Sequence, residues 1–327
     1  MKIGILGAGT WGVALANAFV KKHDVTVWSR FEKEVISLTS SRTHKNLPGV
    51  KLSDNLKFTS SLEVAIKTMD MVVFAVPSPY VRETARIAKP YLNNKQIIVD
   101  VAKGIEEGTL MTLSEVIKDE IGKDYNVVAL SGPTHAEEVS IGLPSLIVAA
   151  CEDVSVAKIV QHELLLPYFR VYVNYDIKGV ELSGALKNII ALAGGISDGM
   201  GYGDNAKAAI ITRGLAEITR LGKTMGCSDL AFFGLTGIGD IVVTATSLHS
   251  RNHNAGVFLG QGLNLEQTLE RVGMVVEGIN CLKAAKQLAD KYNVEMPIVN
   301  AVYSIIFEGV KPLDAVNFLF ARDLTIE

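Results

Sequence analysis

Cysteine is scarce in this chain: only Cys151, Cys227 and Cys281 occur in 327 residues. No two of them form a C-x-x-C pair, so no disulfide framework is encoded, and the pattern fits a reducing, cytoplasmic setting. Long apolar runs are missing too. No stretch reaches the roughly 18 residues that a membrane-spanning helix needs. The N-terminus carries no basic region followed by an apolar one, as a secretory signal would, because a strand-like run begins at Lys2. Neither sign of charge is in excess: 32 Lys and Arg against 35 Asp and Glu leave a net charge of −3, which gives no global field to attract nucleic acid. Repeats, low-complexity tracts and long blocks of like charge are also lacking. Neither G-x-S-x-G nor H-E-x-x-H occurs, which removes two common hydrolase signatures. His249 and His253 stand four apart without accompanying cysteine or carboxylate, so no metal site is expected. Gly222-Lys223-Thr224 imitates the end of a phosphate-binding loop. The first glycine of that motif would fall on Glu217, however, and the run lies inside a helix pattern.

What is present begins at the N-terminus. An apolar, β-type run, Met1 to Leu6, meets Gly7-x-Gly9-x-x-Gly12, and the helix-period positions Val13, Leu15, Ala16, Phe19 and Val20 follow at once. Between a strand and a helix, each glycine has a physical task. Gly7 allows the tight turn, Gly9 lets backbone approach a pyrophosphate, and Gly12 lets helix and strand pack closely. The helix N-terminus offers free N–H groups and a positive dipole end to the phosphates. The next strand, Val25 to Trp28, ends in Ser29-Arg30-Phe31, where an NAD-selective site usually carries Asp or Glu. Arg30 without an acid favours NADPH over NADH, although a solvated surface arginine is the alternative reading.

Further β-type runs follow at Leu56–Thr59, Met71–Val76, Gln96–Val101, Val127–Leu130, Ser145–Ala150 and Phe169–Val173, with helical patterns such as Leu62–Thr68 and Tyr80–Pro90 between them. Several are continuously apolar rather than alternating, which marks buried parallel strands. Past about residue 176 the period changes. Leu182, Leu186, Ile189, Ala193 and Ile196 step by four and three along one helix face, and later runs continue in the same period. The expected fold is therefore α/β: a Rossmann-like, doubly wound, mostly parallel sheet over 1–176, then an all-helical C-terminal domain over 177–327. Ligands of such sheets sit outside the strand C-termini, which places the loops at Pro77, Lys103 and Gly132 on the same rim as Gly7.

A nicotinamide site with a helical partner implies hydride transfer coupled to proton transfer. Carbonyl reduction needs a positioned acid for the oxygen. Lys187 is the candidate, on a helix whose stripe of Gly184, Asn188, Ala191 and Gly195 is small or polar. The alternative is a lysine snorkelling from a surface helix.

Seven motifs occur in order: Gly7-Ala8-Gly9-Thr10-Trp11-Gly12, Ala102-Lys103-Gly104-Ile105-Glu106, Ser131-Gly132-Pro133-Thr134-His135-Ala136, Ala185-Leu186-Lys187-Asn188-Ile189, Leu235-Thr236-Gly237-Ile238-Gly239-Asp240, Ser250-Arg251-Asn252 and Val276-Glu277-Gly278. Together they resemble the bacterial-type NAD(P)-dependent sn-glycerol-3-phosphate dehydrogenases, across essentially the whole chain. The resemblance implies interconversion of dihydroxyacetone phosphate and sn-glycerol 3-phosphate, supplying phospholipid synthesis. It implies Lys187 as proton donor and acceptor, and Lys103 as a contact of both cofactor and substrate. Gly132 and Thr134 match substrate contacts, with Ala136 near the cofactor. Asp240, Ser250, Arg251 and Asn252 match the helical domain's substrate contacts, with Arg251 bridging to the cofactor. Val275 and Glu277 match positions near a cofactor ribose. Thr10, Trp11, Arg30 and Phe31 match the dinucleotide side.

Two positions depart from the family pattern. Thr10 stands where serine is frequent and keeps the hydroxyl. Phe31 stands where a second polar or basic residue is common, which removes one partner for a 2′-phosphate. A homodimer is compatible with the sequence, which fixes no oligomeric state. The rival readings are a dehydrogenase of a β-hydroxy acid or ketopantoate with the same two-part plan, and a non-catalytic NAD(P)H sensor.

Overall fold

A computed structural model describes residues 1–323. The chain divides into two compact units, residues 1–103 with 111–181, and residues 104–110 with 182–327. The short segment Gly104–Leu110 counts with the second unit rather than with its sequence neighbours, and Ile105 belongs to the buried helical core there.

The first unit is built on one eight-stranded sheet. Its strands are β1 Lys2–Leu6, β2 Asp24–Trp28, β3 Lys57–Thr59, β4 Met71–Phe74, β5 Ile97–Asp100, β6 Val127–Ser131, β7 Ser145–Ala150 and β8 Phe169–Asn174. Their spatial order is β3-β2-β1-β4-β5-β6-β7-β8, and all neighbours run parallel except β6 and β7. The connections between parallel neighbours need crossovers, and helices provide most of them. The order reverses between β1 and β4, which opens a crevice at their C-terminal ends.

Strand residues alternate between two covered faces. Ile3, Ile5, Val25, Val27, Val73, Val99 and Val128 enter one core, whereas Leu6, Trp28, Val72, Phe74, Ile98 and Val127 enter the other. Covering on both sides is why the strands read as continuous apolar runs. Helix Thr10–Phe19 is buried from Gly12 onward, and Phe19 meets Phe169 of β8 edge-to-face with ring centroids 5.8 Å apart.

The second unit is helical. Its central element is the helix Ile177–Gly199 from Leu182 onward, and residues Leu182 to Ser197 are all buried, the polar stripe as completely as the apolar one. Helices Asp204–Thr224, Asp229–Phe233, Asp240–Thr246, Arg251–Gly260, Leu265–Val272, Glu277–Tyr292, Pro297–Phe307 and Pro312–Phe320 follow. Their ends carry recognisable signals. The Ser228 and Ser250 side chains cap two of them, Asn264 forms a capping box with Gln267, and prolines open the last two.

Helix Arg251–Gly260 lies backbone to backbone on the central helix. A Cβ on Gly195 would come within 2.0 Å of the His253 carbonyl oxygen, and one on Gly256 within 2.2 Å of that of Leu192. Gly199 and Gly260 repeat the arrangement one turn further on. Ridges without side chains let the two axes approach this closely.

Candidate active site

In the first unit the glycine-rich turn stands at the end of β1. Gly7 has φ +124°, and a Cβ there would fall 2.6 Å from the Ala75 carbonyl oxygen after β4. Gly12 packs as tightly against the Gly7 carbonyl, at 2.2 Å from an added Cβ. Gly9 is the opposite case: it is exposed, and a Cβ would meet nothing within 4 Å. Gly9 also precedes helix Thr10–Phe19 without any side-chain cap, so the N-cap position takes up none of the helix's first N–H groups. Open space in front of uncapped N–H groups is what a dinucleotide pyrophosphate requires, and the residues present fit that group. Thr10 and Trp11 sit half-buried at this helix start.

Beyond β2, Arg30 and Phe31 are exposed, Phe31 at 68%. Arg30 Nη1 donates to Glu83 Oε1 at 2.9 Å, so the arginine has an acidic partner from helix Val81–Ala88. At the same strand end Ser29 Oγ donates to Glu34 Oε2 at 2.5 Å and accepts from the Phe31 N–H.

The loops after β5 and β6 meet. Lys103 Nζ donates to the Gly132 carbonyl at 3.1 Å. The Thr134 N–H and hydroxyl both donate to that same oxygen, at 2.9 and 3.3 Å. Ala136 opens the short helix Ala136–Ser140 and is buried. The structure thus joins Lys103, Gly132 and Thr134 in one cluster, with Gly7 to Gly12 on the same C-terminal rim of the parallel strands.

In the second unit Lys187 is 5% exposed, well inside rather than snorkelling outward. Its Nζ donates to Asp240 Oδ1 at 2.8 Å and to Thr244 Oγ1 at 2.6 Å. Thr244 Oγ1 in turn donates to Asp240 Oδ1 at 3.1 Å. A buried ammonium is tolerable here because a carboxylate balances it and a hydroxyl solvates it. Asp240 is delivered by Leu235–Gly239, a π-helical turn that runs into helix Asp240–Thr246. The turn is anchored by Thr236, whose hydroxyl donates to the Ala231 carbonyl, and by Ser183, which donates to the Thr236 carbonyl. Such turns recur at functional positions because they re-aim one side chain within a helix.

Asn252 uses both ends of its amide. Its Nδ2 donates to Asn188 Oδ1 at 2.9 Å, and its Oδ1 accepts from the Gly278 N–H at 2.8 Å. Ser250 caps its own helix through the His253 N–H. Arg251 is exposed and donates to the Val275 carbonyl at 3.0 Å, and Glu277 stands half-buried at the start of the next helix. Lys187 with Asp240, Asn252 with Asn188, and Arg251 with Val275 are therefore in direct contact. Thr244 was not singled out by the sequence motifs, although its place four residues after Asp240 on one helix face was a readable signal.

Residues 2–157 match the family pattern described as NAD-dependent glycerol-3-phosphate dehydrogenase N-terminus, and residues 176–317 match its C-terminus counterpart. A glycerol-3-phosphate dehydrogenase [NAD(P)+] 2 of Lactobacillus delbrueckii is 54% identical, over 98% of this chain and 97% of its own. One from Bacillus subtilis is 48% identical, over 100% of this chain and 96% of its own. Among solved structures, a glycerol-3-phosphate dehydrogenase from Coxiella burnetii is similar with a TM-score of 0.94 at 36% identity, covering 98% of this chain and 99% of that one.

Proposed function

Because the chain belongs to the NAD-dependent glycerol-3-phosphate dehydrogenase family, we propose that its two units divide one reaction, the first holding the dinucleotide and the second supplying the proton. The protein is an oxidoreductase that interconverts dihydroxyacetone phosphate and sn-glycerol 3-phosphate with NAD(P)H. The single observation that best supports the division of labour is the buried triad of Lys187, Asp240 and Thr244.

The bound dinucleotide supplies the hydride. The residues of the chain do the rest. Gly7 to Gly12, with Thr10 and Trp11, receive the pyrophosphate at the uncapped helix start. Ala136, Val275 and Glu277 line the remainder of the cofactor. Lys187 gives a proton to the carbonyl oxygen as negative charge develops there, and takes it back in the reverse direction. Asp240 and Thr244 hold Nζ at one place, which keeps the acid positioned before substrate arrives. Lys103, Gly132 and Thr134 contact the substrate from the first unit. Ser250, Arg251 and Asn252 receive its phosphate at a helix start, where the guanidinium is a planar fork and the dipole favours an anion.

Arg30 gives NADPH the advantage over NADH, tempered by its pairing with Glu83 and by Phe31 beside it. The physiological product serves as glycerol phosphate backbone for phospholipids. Among the described residues no helix is long and apolar enough to cross a membrane. Cytoplasmic location and homodimeric assembly complete the proposal, and fractionation and sedimentation test them.

The direct experiment is oxidation of NADPH with dihydroxyacetone phosphate, repeated with NADH and with unphosphorylated dihydroxyacetone. Rapid turnover with the phosphate ester and poor turnover without it are expected. Cofactor binding without turnover of any of these would instead favour a sensor.

A further inference from the structure

The glycines that bring helix Arg251–Gly260 against the central helix offer little to hold the two in register. Gly195 meets the His253 carbonyl and Gly199 that of Val257, so the helices advance side by side along a seam without side chains. Helix pairs ordinarily resist sliding through ridges set into grooves, and a smooth seam lacks them. Two polar contacts bracket it instead. Asn252 Nδ2 donates to Asn188 Oδ1 at 2.9 Å, and His253 Nε2 stands 2.8 Å from Asp198 Oδ2. Asn252 and His253 are neighbours on their helix, whereas Asn188 and Asp198 lie about 15 Å apart along the central axis.

We propose that His253 is a positioning residue for the substrate phosphate: bonded to Asp198, it pins helix Arg251–Gly260 in register, so that Ser250, Arg251 and Asn252 meet the phosphate in one place. The proposal rests on the functional reading above, in which those three residues receive that group.

His253 is buried at 5% exposure, and its Nδ1 has no hydrogen-bond partner among the protein groups, so the bond to Asp198 is the ring's one polar anchor. Asp198 stands in the last turn of the central helix, where the dipole disfavours an acid. Its partners, rather than the helix, make the carboxylate tolerable there. Lys207, from helix Asp204–Thr224, places Nζ 2.8 Å from the same Oδ2. Burial raises the Asp198 pKa, but the bonds from Lys207 and His253 outweigh it and hold the carboxyl below its ordinary value. An ionised carboxylate only accepts, so His253 Nε2 carries a proton and donates to it. With Lys207 balancing the charge, what the histidine contributes is the direction of its bond. The His253 N–H also donates to Ser250 Oγ at 3.1 Å, so any movement of this residue passes straight to the helix start.

The test measures KM and kcat for dihydroxyacetone phosphate at saturating NADPH, with fluorescence titration of NADPH and Tm, on variants of the full chain. His253→Phe keeps a ring and removes the donor, whereas His253→Gln keeps a donor at similar reach. His253→Phe is expected to raise KM about tenfold, with kcat within about threefold and the NADPH dissociation constant within about twofold of wild type. His253→Gln should recover most of that loss. Asp198→Ala breaks the same bond from the other helix and should give the same rise, which keeps the question measurable if His253→Phe folds poorly. Lys207→Gln removes an ion pair but leaves the pin, so Tm should fall while KM stays within about twofold. In an Arg251→Ala background His253→Phe should add less than about threefold, because both act through one helix head. A KM that stays at the wild-type value in His253→Phe and Asp198→Ala while Tm falls would overturn the proposal. So would a KM that tracks Tm across all the variants, or a full second tenfold loss in the Arg251→Ala background. An unchanged KM in Arg251→Ala alone is a separate failure, since it removes the phosphate assignment on which the pin depends.

Discussion

Replacing Lys187 with methionine keeps the length of the stem and removes both charge and proton. Two separate losses follow. The first is in stability, because the Asp240 carboxylate, at 2% side-chain exposure, is left without its cation and retains the Thr244 hydroxyl, 3.1 Å away. Breaking a buried pair by removing one partner costs about 3–5 kcal/mol, and the hydroxyl places the expected value at the lower end. The second loss is in rate: removing a positioned acid lowers kcat by roughly 10²–10⁴. The double variant Lys187→Met/Asp240→Asn separates them, since it leaves no uncompensated charge. Thermal unfolding of the double variant should return most of the way to wild type, whereas single-turnover hydride transfer, followed by the absorbance of reduced nicotinamide, should remain as slow as in Lys187→Met. Titration of NADPH should be unaffected in both, because the proposed seat of its phosphates is in the first unit. If Lys187→Met transfers hydride at the wild-type rate per folded molecule, the lysine is only a buried structural cation and the catalytic assignment is wrong.

Arg30→Ala should raise KM for NADPH about fivefold and leave NADH unchanged, corresponding to roughly 1 kcal/mol for an exposed charge pair; Glu83→Gln, which frees Arg30, should shift the preference the other way, and equal effects on both cofactors would contradict this. Arg251→Ala should lower kcat/KM for dihydroxyacetone phosphate by about 1.5–3 kcal/mol, the worth of a charge-assisted bond, with little change for unphosphorylated dihydroxyacetone. Glu217, buried while accepting from the Ile298 and Val299 N–H groups, has its carboxyl pushed up to about 7 by burial from an ordinary 4.5. The folded chain therefore holds this proton more tightly than the unfolded one, so the contribution to stability is complete below about 4.5 and is lost as pH rises through about 7. Tm measured across that range should fall for wild type and fall less for Glu217→Gln; parallel curves would refute it.

The inner strands such as β4 and β6 were legible because each is an apolar run with covering on both faces, whereas edge strand β3, Lys57–Thr59, and alternating β8 showed through their β-type composition. Helix Leu113–Ile121 was harder to see, since its composition is mixed, though Thr112 and Glu115 spell a capping box that the structure forms. The run Leu235–Gly239 reads as a loop from its glycines, and folds as a helical turn because Gly237 backbone lies against the Phe232 carbonyl, where a Cβ would come within 1.7 Å. The identity of Lys187 as a candidate followed from its neighbours, but its partner is 53 residues away and no local pattern pairs them.

The glycine seam between the central helix and helix Arg251–Gly260 makes placement of the residues proposed to hold the phosphate depend on atoms that are missing. Methylation of the seam by Gly195→Ala, the smallest enlargement available, would force the second helix outward by roughly 1 Å or more, because its carbonyl stands only 2.0 Å from where the new carbon would be. Ser250, Arg251 and Asn252 ride at the head of that helix, so the displacement would reach them as a rigid translation rather than fade along the way. A shift of that size in a substrate-holding group can cost about a hundredfold in rate. The seam therefore acts as a ruler for the site, and drift at its four glycines should be punished in catalysis as well as in folding.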